Sequence, residues 1–471
     1  MAISTDAKKT ISELKSKLRT NVSFDIIFRD ININGREAGM FFIDGFTKDE
    51  VMEKIMEFFY SLKSDDDFKN SETFIKNCIP YIEVACSKDI NSASTNILSG
   101  MLAIVIDKLD KIILLDVRTY PKRETQEPEK DKVLRGSRDG FVETLISNTA
   151  LIRRRIRNTN LSMKLINVGS ISKTDVVLCY MEDKVDKKLL SSITERISSL
   201  NVDSLTMNQQ SLAEALFKNK WYNPFPKIKH SERPDTAASA VLEGNIVILV
   251  DNSPSVSIIP TSIFDILEEA DDYYFPPLTG TYLRLSRYII TFLTLITTPL
   301  WLLALQNPEF VPKGLYFILV EGQNVPIILQ LIILEFAIDG LRLAAMNTPS
   351  SLTTPLSIIG AIILSDFAVS SGWFSSETML YMAFVAMANY SQPSFELGYA
   401  LKFMRILMLI MTALFNVIGF SIALIGVIVL IASNKTISGK PYLYPLIPFN
   451  YKDFVRKVIR SRITRTQNQE D

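Results

Sequence analysis

Along this chain the apolar positions keep two rhythms. Up to about residue 280 they come in short runs separated by charge. From Tyr288 onward they run on for most of a membrane thickness at a time.

The short-run half predicts α/β structure. Residues 5–20 read as a polar amphipathic helix. In SFDIIFRDININGREAGMFFIDGF (23–46) two apolar runs are broken by Asn34-Gly35, which supplies the positive φ of a hairpin turn. Thr47 with Glu50 offers a capping box for a helix through VMEKIMEFFYSL. Residues 65–95 are α-rich, and MLAIVIDKLDKIILLDV (101–117) predicts a second strand hairpin. The Pro-containing, densely charged stretch 119–135 cannot bury a core and reads as a linker. Beyond it the pattern predicts a helix over 139–156, a strand over 176–181, helices near 184–199 and 209–217, and a hairpin over 244–260 turned at Asn252-Ser253-Pro254. No internal repeat is visible. The expected organisation is a polar helix (1–22), one α/β subdomain (23–118), the linker (119–135) and a second α/β subdomain (136–280).

The long-run half predicts a transmembrane helical domain (281–440) and a basic tail (441–471). YIITFLTLITTPLWLLAL (288–305) and ILMLIMTALFNVIGFSIALIGVIVLIAS (406–433) carry no charge, and 352–369 carries only Asp366. A span needs about 20 apolar residues to cross about 30 Å of hydrocarbon. Segments 325–346 and 377–390 are weaker and fit either a span or a buried core helix. The fold class is thus an α+β or α/β soluble N-terminal half of two subdomains, followed by an α-helical transmembrane bundle of four or five apolar segments.

Charge orients this picture. Arg284 and Arg287 precede the first span, and Lys452, Arg456, Lys457, Arg460, Arg462 and Arg465 follow the last. Arg342, Lys402 and Arg405 fit the same side, so both chain ends are expected in the cytoplasm. The start of the chain has no apolar h-region, which agrees. Two cytoplasmic ends need an even number of crossings, yet five apolar segments are present. Either the run 406–433, with Asn416 and Gly419 near its middle, folds as a hairpin or re-entrant pair, or one weak segment does not cross.

The overall balance is 51 basic against 51 acidic residues, so no global basic field points to nucleic acid. Three cysteines, Cys78, Cys86 and Cys179, lack metal-site spacing and read as reduced thiols. One histidine, His230, and the absence of nucleophile, phosphate-loop or zinc motifs argue against an enzyme, a cofactor or a metal centre. The basic run 153–157 fits a solvated helix end or a surface contact.

Candidate chemistry lies among the charges within the apolar half. Glu335, Asp339 and Arg342 recur at i, i+4 and i+7, on one helix face. Charge at membrane depth must face the interior or water. The triad is therefore either a polar lining or gating pair for ions, or an ion pair fixing helix packing. Asp366, Glu396 and Asn389, the last beside the Pro393 break, are further candidates for an ion pathway. Arg456, Lys457, Arg460 and Arg462 are candidates for contact with anionic lipid.

Several blocks resemble one family. RGSRDGFVETLISNTALIRRRIR (135–157), GNIVILVDNSPSVSIIP (244–260), DDYY (271–274) and PYLYPLIPFN (441–450) look like blocks of the GerA family of spore germination proteins, specifically its A subunits. FDIIFRDI (24–31), MFFIDGFTKDEVM (40–52), ERPDTAAS (232–239) and MNTPSSLTTPL (346–356) look like its stage V branch. The resemblance implies a multi-pass protein of the inner spore membrane. It implies a homo-oligomer, pentameric in form, that releases monovalent cations during germination beside other germination membrane proteins. The alternative it leaves is a non-conducting scaffold that docks germinant receptor or dipicolinate-channel proteins.

Overall fold

The computed structural model describes residues 3–47, 49–64, 68, 70–79, 81–119, 136–216, 223–319, 324–347 and 368–460. Residues 120–135 of the linker, most of the apolar stretch 352–369 with Asp366, and Arg462 lie outside the described residues. One compact unit takes the chain up to Pro260. The other takes the remainder, with a short excursion around Phe225.

The first unit is built twice over. Helix α1 (Ala7–Leu18) precedes the hairpin β1 (Ile26–Ile33)–β2 (Arg36–Ile43). Then come α2 (Asp49–Ser61), α3 (Ser71–Cys78), β3 (Val84–Ser87), α4 (Ile90–Leu98) and a second hairpin, β4 (Leu102–Ile106)–β5 (Ile112–Leu115). The same series follows: α5 (Leu145–Arg155), β6 (Leu161–Val168), β7 (Thr174–Met181), α6 (Lys187–Ser198), α7 (Asn208–Leu216), β8 (Lys229–Ser231), α8 (Pro234–Leu242), β9 (Ile246–Val250) and β10 (Val256–Ile259). The strand orders match, β1-β2-β4-β5-β3 and β6-β7-β9-β10-β8, and every pairing among the described strands is antiparallel. The repeat escapes sequence reading because it is conserved in strand order, not in residues.

Local chemistry accounts for these elements. Asn34 (φ 50) and Gly35 (φ 75) close the first hairpin, both in the left-handed region that type I′ turns require. Asp6, Asn70, Asp89 and Asp186 cap their helices by accepting backbone N–H groups. Thr47 differs from expectation: it pairs with Arg118 in an isolated bridge, and α2 begins at Asp49. Strands β3, β6 and β8 and helix α8 add to the expected set. The first sheet is covered on one face by α2 and α3 and on the other by α1 and α4, with apolar cores on both sides.

A buried ion pair joins the repeats. Arg153 donates from Nε and Nη2 to Asp25 at 2.7 and 3.0 Å and from Nη1 to the Leu161 carbonyl at 3.2 Å. Both side chains are almost wholly buried. The basic run is therefore no plain solvated end, because its first arginine turns inward. Cys179 lies close to this pair, and burial pushes its thiol up to about 12.

The second unit is helical: α9 (Ile263–Leu267), α10 (Asp271–Tyr274), α11 (Pro277–Gln306), α12 (Ile327–Asn347), α13 (Ser376–Tyr390), α14 (Phe395–Ser433) and α15 (Tyr451–Val458). Residues 261–280, grouped by sequence with the second α/β subdomain, pack here instead. Their acidic residues meet Arg284 and Arg287 of α11.

Helix α14 is not straight. Asn416 sits at φ 53, ψ −135, and a Cβ on Gly419 would collide with the Met411 carbonyl. Eight residues of an unbroken helix would separate those positions by about 12 Å. The chain therefore reverses at Asn416, and Met404 and Met408 share a core with Ala423 and Val427. Of the two foldings open for 406–433, the structure has the hairpin. Asn307, at the end of α11, braces the turn: it donates to Asn416 Oδ1 at 2.5 Å and accepts from Asn416 Nδ2 at 3.0 Å.

Side-chain partners give the helix directions. Thr291 meets Gln392, Arg405 meets the Thr294 carbonyl, and Asn307 meets Asn416. Hence α11 and the first arm of α14 run parallel. Leu331 packs with Trp301 and Leu302 while Glu335 lies nearer Thr294, so α12 runs antiparallel to α11. Gln330 accepts from the Ser375 N–H and Arg342 stacks on Tyr390, so α12 and α13 point the same way.

Candidate functional site

In a water-soluble helix the polar face looks outward. Helix α11 does the reverse. Arg284, Arg287, Thr291, Thr294 and Thr298 are buried, whereas Ile289, Phe292 and Leu300 are exposed. The hairpin α14 likewise exposes Leu414, Ile418, Ile422 and Ile425 while burying Lys402, Arg405 and Thr412. Two helices, 277–306 and 395–433, are long and apolar enough to cross a membrane.

The charges so enclosed form one network. Arg405 donates from Nε to Glu335 Oε1 at 2.7 Å, with Nη2 also 2.7 Å from that oxygen, and from Nη1 to the Thr294 carbonyl at 3.0 Å. Lys402 donates to the Glu335 carbonyl at 2.9 Å, lies 3.5 Å from Glu335 Oε2, and pairs closely with Asp339. Glu335, Lys402 and Arg405 are 2%, 4% and 1% exposed; Asp339 is the member that reaches the surface. A pair at i, i+4 on α12 thus faces a pair at i, i+3 on α14, and two positive charges balance two negative ones. Pairing of this kind offsets the large cost of desolvating each ion.

Arg342 does not join its predicted neighbours. It reaches past them into three rings, Tyr390 at 4.6 Å, Tyr399 at 5.3 Å and Phe395 at 5.8 Å, a cation–π cage at the far end of α12. The expected triad therefore splits, because Asp339 finds Lys402 while the planar guanidinium stacks. Asn389 is buried against Gly398, and its Oδ1 has no hydrogen-bond partner among the described residues. A Cβ at residue 398 would sit 2.8 Å from that oxygen, so glycine is what admits the contact. Glu396 is exposed in the first turn of α14, where the helix dipole favours a carboxylate. It is not placed in the enclosed network.

The tail is tied down where sequence reading left it facing lipid. Lys457 pairs with Asp265 and lies 3.4 Å from Glu268. Arg460 donates from Nη2 to the Tyr273 carbonyl at 2.5 Å, and its backbone N–H donates to Thr281. Arg456 stays exposed on α15. Arg284 and Arg287, expected as plain flanking charges, are buried: each pairs with Asp272, and Arg284 also takes Glu268.

Sequence reasoning passed over Lys402 and Arg405 as pathway partners, and over Asn307 with Asn416. The signal for the first two was present: two cations three apart in an apolar run, with two carboxylates four apart in another. Among the described residues no group of three His, Cys, Asp or Glu side chains could hold a metal ion. His230 lies in the first unit, its Nδ1 2.8 Å from Gln209 Nε2.

Residues 12–471 match the family described as Bacillus/Clostridium GerA spore germination protein. Stage V sporulation protein AF of Bacillus subtilis (strain 168) is 36% identical over 449 residues, covering 95% of this chain and 91% of that one. Spore germination protein KA of the same organism is 27% identical, covering 95% and 83%. Among solved structures, the N-terminal domain of the A subunit of the Bacillus megaterium spore germinant receptor GerK3 is 22% identical. That match covers 55% of this chain and 96% of that one, with a TM-score of 0.42.

Proposed function

The chain belongs to the GerA family of Bacillus/Clostridium spore germination proteins, and from that premise we propose that it is a multi-pass membrane subunit of the germination machinery. In this reading the second unit lies in hydrocarbon of the inner spore membrane, and the α/β unit and the tail face the cytoplasm. The described helices α11, α12 and α13 and the two arms of α14 supply five passages. The apolar stretch 352–369, read from sequence as one more, makes the number even. The protein assembles with itself, as a pentamer, and beside other germination membrane proteins. It releases monovalent cations during germination.

The observation that carries the reading is the inverted burial of the second unit: ionised groups inside, large apolar side chains outside. Within it, Glu335, Asp339, Lys402 and Arg405 act as a latch between α12 and α14. A cation path needs carboxylates released from their partners, so opening would part this network. Asp339, the member that reaches the surface, would meet the ion first. Asp366 keeps its sequence-based role as a pathway candidate, and Asn389 offers a buried acceptor at the α13–α14 corner. Arg456, exposed on α15, would meet anionic headgroups, a contact worth about 1 kcal/mol per basic residue near the surface.

Potassium flux from liposomes loaded with purified protein tests this. Wild type should leak potassium, and Glu335→Gln should change the rate by about tenfold or more. Absence of flux from wild type would reject conduction. The second reading, a non-conducting scaffold, is favoured by one observation: both network carboxylates are neutralised by cations of the same chain, as a packing role requires. A scaffold keeps its membrane partners in Glu335→Gln and shows no flux in either form.

A further inference from the structure

Strand β1 is an open margin. It stands at the end of the first sheet, and among the described residues only β2 pairs with it. The two-residue turn at Asn34-Gly35, with the bond from the Asp44 N–H to the Asp25 carbonyl at 2.8 Å, fixes which residues face β2. Odd-numbered residues of β1 bond to β2, and the backbone N–H and C=O groups of Phe28, Asp30 and Asn32 point away from it. The strand is eight residues long and contains no proline. An edge of that kind is a template for another strand.

Beside this margin a groove of about 410 Å³ runs between β1 and α2. Its floor is Phe42, Met52 and Met56, and its rim is Asp49, Glu53 and Glu57. Arg29 of β1 is the one cation among the described lining residues. The three rim carboxylates are exposed, and among the described residues none is paired with a cation. The matching groove of the second repeat, about 560 Å³ beside α6, is balanced. There Lys187 pairs with Glu182, and Lys164 shares the lining with Glu195. Unpaired acid is therefore particular to the first repeat.

Edge and groove ask for the same occupant. The open edge takes an extended backbone. The apolar floor takes the aliphatic stems of long cationic side chains, whose charged heads then reach the rim. Spacing agrees: residues i and i+2 of a strand share a face about 7 Å apart, and residues i and i+4 of a helix are about 6 Å apart along its axis. Asp49, Glu53 and Glu57 follow the second spacing. We propose that β1 and the α2 groove take up an extended segment of another polypeptide, with Lys or Arg at alternate positions, as a sixth strand of the first sheet. A second copy is the poorer occupant, because β1 joined antiparallel to β1 sets two acidic rims on the same side of one sheet. The inference requires neither ion conduction nor self-assembly.

Fluorescence anisotropy of a labelled peptide of alternating lysine and valine, added to full-length protein in a neutral detergent, tests the proposal. The peptide should bind, and its counterpart of alternating glutamate and valine should not. Glu53→Gln with Glu57→Gln should weaken the lysine peptide about tenfold. Glu53→Lys with Glu57→Lys should exchange the preference between the two peptides. Methylating alternate backbone nitrogens of the lysine peptide, along the side that meets β1, should abolish binding because the ladder loses its donors. No binding, or equal binding to wild type and the Gln variant, overturns the proposal. Undiminished binding of the methylated peptide also overturns it, since a charge contact without a strand is then enough. Asp30→Cys in a Cys86→Ser background tests the rival occupant: oxidative cross-linking of two copies at that position assigns the edge to a second copy and overturns the proposal as well.

Discussion

Each unit buries arginine–carboxylate pairs, and the surroundings of two of them, Arg153–Asp25 and Arg405–Glu335, are inverted. Arg153 and Asp25 lie among apolar side chains between two sheets, while charged residues such as Lys8 and Glu37 face outward. Arg405 and Glu335 lie among threonines and a lysine, while leucine, isoleucine and phenylalanine face outward. The first arrangement is what water imposes on a chain; the second is what hydrocarbon imposes. In both, burying an ion costs several kcal/mol and only a well-oriented partner offsets it. The difference lies in the options left to a broken pair. In the first unit a freed Asp25 is enclosed by a unit that turns charged residues outward. In the second unit a freed Arg405 is enclosed by helices whose outer faces are apolar.

The comparison breaks most sharply at Glu335. Glu335→Ala leaves Arg405 buried and unpaired, with an expected loss of about 3–5 kcal/mol. Thermal unfolding in detergent should show it, and Glu335→Leu with Arg405→Leu should recover most of the loss. Asp25→Ala should cost a comparable amount, because it leaves the fully buried Arg153 without its carboxylate. It should lower the melting of the α/β unit while leaving helical content in detergent unchanged. If the paired substitution at 335 and 405 is as harmful as the single one, the network does more than balance charge.

A smaller effect is expected at the aromatic cage. Tyr390→Leu should cost about 1–2 kcal/mol, since a desolvated cation–π contact is worth about that much. Arg342→Lys should cost as much, because an ammonium cannot stack on three rings as a guanidinium does. Near neutral pH the smallest effect is that of thiol ionisation. Burial raises the Cys179 thiol to about 12 in the folded chain, while the unfolded thiol ionises near 8.5. Between those values the unfolded state binds fewer protons, so stability falls as pH rises, and Cys179→Ala removes that slope. Thiol labelling of the native protein at pH 8 should modify Cys86, which is exposed, and spare Cys78 and Cys179.

Much of this was legible in one dimension. The Asn34-Gly35 turn, the hairpins at 101–117 and 244–260, and the apolar runs all follow from nearest-neighbour chemistry and period. The carboxylates at 335 and 339 stood out because charge is rare in such runs. Their partners did not, because Lys402 and Arg405 lie more than sixty positions away and satisfy the inside-positive pattern equally well. Arg342 was grouped with Glu335 and Asp339 by spacing, yet side-chain shape sent it to the rings of Tyr390 and Tyr399.

The order of residues by itself determined that one half packs in short alternating elements and the other in long apolar helices, since each depends on local periodicity and composition. Only the tertiary structure decided that the longest apolar run doubles back at Asn416, that the first unit is one plan used twice, and that four distant charges close on one another. Those outcomes depend on which surfaces meet, and contact between surfaces is settled by three-dimensional packing and desolvation, which no stretch of neighbours encodes alone.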